Sequence, residues 1–184
     1  MQKLPLNKIK TNEANPRIIS EDKFAKLVNS VLSFPKMMTL RPIVLASEQD
    51  TTILGGNMRF KALLFLEGIT FQDLEERLKN IADFNEKAQA DKEEVLAFWQ
   101  MWKDSPFAFV EYATNLSDSE KQRFIIEDNA SFGEWDYDAL ANAWDNTKLC
   151  DWGVDVWKAE EFGSATEVKE DDFNEDGEIT LLRF

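Results

Sequence analysis

The sequence predicts an α+β fold: a small mixed sheet flanked by helices, with a helical pair inserted in mid-chain and an acidic tail at the C-terminal end. Three observations lead there. Short alternating or β-branched runs have the period of strands, and capped segments between them carry apolar residues at helical spacing. The apolar content, 43% of 184 residues, fills one core of ordinary domain size. From about residue 158 the composition turns acidic and poor in large apolar groups, so the domain is read as 1–157 and the tail as 158–184.

Taken in order, "LPLNKIK" alternates Leu4, Leu6 and Ile9 with polar residues and reads as a short strand. "TNEANPR" follows as a loop, because Pro16 pushes Asn15 out of helical geometry. Ser20 caps a helix that has Glu21 and Asp22 in its first turn and Phe24, Leu27, Val28, Val31 and Leu32 on one face, ending before Pro35. "RPIVLA" and "TTIL" read as two strands joined through "SEQD". The second runs into Gly55-Gly56, after which Phe60, Leu63 and Leu64 mark a helix that Gly68 can close as its C′ residue.

Residues 71–104 form the inserted pair, with apolar stripes from Phe71, Leu74, Leu78 and Ile81 and then Val95, Phe98, Trp99 and Trp102. Those stripes read as core packing, with docking of a partner by the aromatics as the alternative. "FAFVEYA" is a strand, Ser117 with Glu120 makes a capping box for a helix through "EKQRFIIEDN", and "WDYDALANAWD" is a further helix. Trp135, Trp144, Trp152 and Trp157 read as covering residues of a core or sheet. "ITLLRF" at the end is apolar enough to pair with an edge strand or a partner.

The residue inventory excludes whole chemistries. There is no histidine and a single cysteine, Cys150, so imidazole triads, internal disulfides and multi-cysteine zinc sites are absent. Cys150 reads as a buried structural residue. No leader-like segment or long apolar run stands out, which leads us to expect a soluble, unexported, cytoplasmic protein without membrane contact. The net charge is −14, yet residues 1–65 carry ten Lys or Arg against five Asp or Glu. An acidic protein is a poor non-specific binder of DNA, whereas a phosphate ligand on the basic front half is reasonable.

A strand ending in glycines and leading into a helix presents the helix's opening N–H groups, and without a Cβ at Gly55 and Gly56 an anion can approach the backbone. Arg59 and Lys61 add positive charge nearby, and the alternative reading is that two glycines before a basic helix serve turn geometry only. The ordered set "NPR", "LRPIVL", "ILGGNMRFKAL" and "FIIEDNASFGEWD" resembles the N-terminal domain of the ParB/sulfiredoxin superfamily. It lies closest to the ParB-like proteins, also termed ParB-like nuclease domains, of phages and mobile elements. The resemblance covers about residues 4–68 and 106–152. Pro42 and Ile43 match the ParB element that usually follows a glutamine, with Arg41 in place of the glutamine. Gly56, Arg59, Lys61 and Ala62 match the glycine-arginine element, with Asn57 and Met58 departing from it. Asn57 stands where the sulfiredoxin branch has its catalytic cysteine, so sulfinic acid repair is not expected.

The resemblance implies a nucleotide site made of Asn15, Arg17, Arg41, Pro42, Gly55, Gly56, Asn57, Arg59 and Lys61. It also implies Mg²⁺, with CTP or ATP, oriented by Asp128 and Asn129; these two residues alternatively only cap a helix end. The ParB Gln-Arg pair is replaced by Ser131 and Phe132. Glu127 and Asp128 are the candidates for a catalytic role, with a weak NTPase or kinase left open. The second reading is a non-enzymatic adaptor for a partner such as a DNA methyltransferase, and a nuclease ranks below it. Homodimerisation is left open. The ParB helix-turn-helix region has no counterpart here, so strong direct DNA binding is not expected.

Overall fold

The computed structural model describes residues 2–12, 18–130 and 135–155. It is a mixed α+β structure built on a four-stranded sheet. Strand β1 spans Gln2–Pro5, β2 Ile43–Leu45, β3 Ile53–Gly55 and β4 Phe107–Tyr112. Their spatial order is β1-β4-β2-β3, with β4 antiparallel to β1 and parallel to β2, and β2 antiparallel to β3. In the central pair Ile43 stands opposite Val110 and both are sealed from solvent, and β3 is buried along its whole length.

The first strand is shorter than its alternation suggests. Pro5 has no N–H to continue a ladder, and the chain turns into a 3₁₀ segment at Leu6–Lys8 that still buries Leu6 and Ile9. Helix α1, Glu21–Ser33, starts where expected, with the Ser20 hydroxyl accepting from the Lys23 N–H, and buries Val28, Val31 and Leu32. A one-turn helix α2, Met37–Leu40, leads into the β2–β3 hairpin. Helix α3, Asn57–Gly68, follows the double glycine.

Gly68 does not end α3 in a left-handed conformation; only Gly56 and Gly153 have positive φ among the described residues. It is the last helical residue, and the terminal carbonyls are held instead by the Lys103 ammonium, which donates to Leu66 O at 3.3 Å, Glu67 O at 2.7 Å and Ile69 O at 2.5 Å. A cation reaching the negative end of a helix satisfies orphan acceptors and the dipole together.

The pair expected over 71–104 is α4, Phe71–Lys79, and α6, Gln89–Asp104, with a single-turn α5, Ala82–Asn85, between them. Its stripes are core. Trp99 and Trp102 have no exposed surface, and their indole N–H groups donate to Leu32 O at 2.8 Å and Phe107 O at 2.7 Å. They therefore offer no docking surface. Helix α7, Asp118–Glu127, has the expected Ser117–Glu120 capping box. Helices α8, Tyr137–Ala143, and α9, Asn146–Asp151, complete the described elements.

The tryptophans of this last region do not cover a core. Trp135, Trp144 and Trp152, which lie just outside the two short helices, are 58%, 55% and 47% exposed. Trp144 and Trp152 instead meet edge to face, 6.2 Å between centroids. Trp157, the tail from 158 and the terminal "ITLLRF" lie outside the described residues. No helix among the described residues is long and apolar enough to cross a membrane.

Candidate functional site

The geometry begins at the glycines. Gly56 takes φ +92°, which an L side chain rarely adopts, and this sharp turn delivers the chain from β3 directly into α3. The helix start has no side-chain cap. The Gly56 carbonyl accepts from the Phe60 N–H at 2.9 Å, which opens the hydrogen-bond ladder of α3 at this residue. Gly55 serves a different need. A Cβ there would lie 3.0 Å from Asp128 Oδ2 and 3.0 Å from Phe124 Cε1, so its absence lets the end of α7 close onto the end of β3.

That closure gathers distant residues around one cavity of about 430 Å³. Arg41 comes from the end of α2, Gly56, Asn57 and Arg59 from the start of α3, and Asp128 and Asn129 from the end of α7. Arg59 is positioned by its Nη2, which donates to the Pro42 carbonyl at 3.3 Å. Pro42 thus supports the site from behind through its backbone. Asn57 is buried; its Oδ1 accepts from the Asn12 N–H at 3.4 Å, and its Nδ2 finds no hydrogen-bond acceptor among the described residues. The Asn129 amide donates to Ile125 O at 2.6 Å, as a cap of α7 would.

Four of the expected residues do not line the cavity: Gly55, which packs against α7, Pro42, which acts only through its carbonyl, and Lys61 and Glu127, which lie elsewhere. Lys61 is exposed on the outer side of α3 and does not line the cavity. Glu127 is exposed and accepts from Arg123 Nε at 2.7 Å, one helical turn away, and it too is absent from the lining. Asn15 and Arg17 lie outside the described residues.

The sequence reading missed two cations. Lys23 and Lys26 project from the first half of α1 into the same cavity, and Trp152 and Gly153 line it from the far side. Their only signal was the basic excess of residues 1–65, which does not say which helix faces the glycines. Among the described residues, four cations, Lys23, Lys26, Arg41 and Arg59, and one carboxylate, Asp128, thus line this cavity of a strongly acidic protein. A concave surface on which cations outnumber carboxylates, with a helix N-terminus in it, favours an anion.

Among the described residues there is no group of three Cys, Asp or Glu that could hold a metal by itself. Asp128 can offer Mg²⁺ one protein oxygen, and an ion that keeps several waters and shares phosphate oxygens needs little more. Cys150 is buried, as expected for a structural thiol. The chain matches no protein-family model and no curated protein.

Proposed function

We propose that this chain is a ParB-like nucleotide-binding module, taking CTP or ATP with Mg²⁺, in a phage or mobile-element DNA-processing system. The observation that carries the reading is the cavity at the start of α3. Arg41, Gly56, Asn57, Arg59, Asp128 and Asn129 come from three separated stretches of sequence and meet there. In this reading the phosphates lie against the Gly56 turn and the first N–H groups of α3, with Arg59 and Arg41 neutralising them. Asp128 would hold Mg²⁺ together with phosphate oxygens and water. The cavity volume suits a ligand of nucleotide size.

The test is calorimetric titration with CTP, ATP, GTP and ADP, each with and without Mg²⁺. Wild type is run beside Arg59→Ala and beside Arg41→Ala, whose side chain is exposed and outside the core. Micromolar, Mg²⁺-dependent binding is expected, weakened by about tenfold or more in each variant, since a charge-assisted hydrogen bond is worth roughly 1.5–3 kcal/mol. Absence of binding to all four nucleotides, or equal affinity in all three proteins, refutes the reading.

A further inference from the structure

The cavity lysines are already engaged by the chain itself. Lys23 Nζ donates to Asp155 Oδ2 at 2.8 Å, and Lys26 Nζ donates to the Cys150 carbonyl at 2.6 Å. Both acceptors belong to the stretch that ends α9. There the Gly153 N–H donates to Cys150 O and the Val154 N–H to Leu149 O, with Gly153 at φ +93°, a helix end of defined shape that carries the chain back toward α1. Trp152 and Gly153 of this stretch also line the cavity.

Polar contacts help attach this stretch to the body. Lys148 pairs with Glu86, and the Trp152 indole N–H donates to Asp83. Leu149 and Cys150 are buried, but the main core cluster is made by residues between Leu6 and Val110 and does not include them. The Lys23–Asp155 pair is solvent-exposed on both sides, at 54% and 80% of its side-chain surfaces, and such pairs contribute little to stability.

We propose that residues 149–155 are an internal competitor for the cavity: the Asp155 carboxylate and the Cys150 carbonyl occupy the ammonium groups that a ligand's diphosphate would take. On binding, the segment leaves α1. This rests on the reading that the cavity takes phosphates. A diphosphate brings more negative charge to the two lysines than one carboxylate and one carbonyl, so the exchange favours it. Displacement also uncovers the Cys150 thiol, which gives a readout separate from binding.

The experiment uses the full chain, with pyrophosphate as the probe, and compares wild type with Asp155→Asn, a change at an exposed side chain. Calorimetry reads affinity, and the rate of Cys150 labelling by a chromogenic disulfide reagent reads uncovering. We expect pyrophosphate to accelerate labelling in wild type and Asp155→Asn to accelerate it without ligand. The variant should bind pyrophosphate about three- to fivefold more tightly, equivalent to up to about 1 kcal/mol for an exposed pair. If both proteins bind pyrophosphate equally and label at the same rate, the competitor is refuted while the phosphate site stands. If neither binds pyrophosphate or any nucleotide, the phosphate site fails and the competitor with it.

Discussion

Replacing Gly56 by alanine tests the turn on which the site depends. The backbone there has φ +92°, and forcing an L residue into left-handed geometry costs roughly 1–2 kcal/mol. The added Cβ would sit 3.0 Å from Arg59 Nη2 and at ordinary contact, 3.5 Å, from Ile43. The arginine tip can yield cheaply, but yielding draws it away from the Pro42 carbonyl and alters the cavity. For a domain of this size 1 kcal/mol corresponds to about 2–4 °C in Tm, so Gly56→Ala should melt about 2–8 °C below wild type. Gly68→Ala is the internal comparison. Gly68 ends α3 without positive φ, and a Cβ there meets nothing within 4 Å, so that substitution should raise stability by roughly 0.4–1 kcal/mol. Thermal unfolding followed by circular dichroism reads both. If the two alanine variants shift Tm in the same direction, the assignment of a left-handed turn to Gly56 and not to Gly68 is wrong.

Two further outcomes follow from the fold. Trp99→Ala should cost about 3–5 kcal/mol in urea unfolding, and Trp99→Phe about 1–3 kcal/mol, because the phenyl ring keeps packing but leaves the buried Leu32 carbonyl without its donor; equal midpoints for Trp99→Phe and wild type would contradict that hydrogen bond. Acid should loosen two helix starts: hydrogen bonds from Thr70 hold the Asp73 carboxyl, and hydrogen bonds from Ser117 the Glu120 carboxyl, below their usual values. Depressed carboxyl values mean that the folded state binds fewer protons, so this contribution is complete above the unfolded values of about 4 and is lost as pH falls through the folded ones. Tm measured from pH 6 down to pH 3 should therefore fall more steeply in wild type than in Asp73→Asn/Glu120→Gln, and parallel curves would refute it.

What was legible in the sequence was what a few neighbouring residues decide. Ser20, and Ser117 with Glu120, mark helix starts because cap and partner lie within one turn. The same holds for Thr70 and Asp73, a capping box whose spacing is plain in "TFQD". The turn at Gly56 was legible for the same reason. The closing of α3 was not, since Lys103 lies more than thirty residues away from the carbonyls it holds and no local pattern points to it. Nor was the placement of Lys23 and Lys26, which depends on how α1 packs against α3, or the exposure of Trp135, Trp144 and Trp152, which depends on how little lies over α8 and α9. Glu127 shows the limit from the other side: it adjoins Asp128 in sequence, but on a helix consecutive residues point about 100° apart, and it pairs with Arg123 away from the cavity.

The division of the tryptophans has a spectroscopic consequence. Trp99 and Trp102 are sealed beside one another, 5.1 Å between centroids, whereas Trp135, Trp144 and Trp152 stand about half in water. A collisional quencher added to the solvent silences the second set and spares the first, so the emission separates into a blue, protected component and a red, quenchable one. Because Trp152 borders the cavity, the red component responds to its occupancy, while the blue one follows only the integrity of the core. The described tryptophans thus supply two optical signals, and one cuvette without any added dye distinguishes a ligand that binds from a ligand that unfolds.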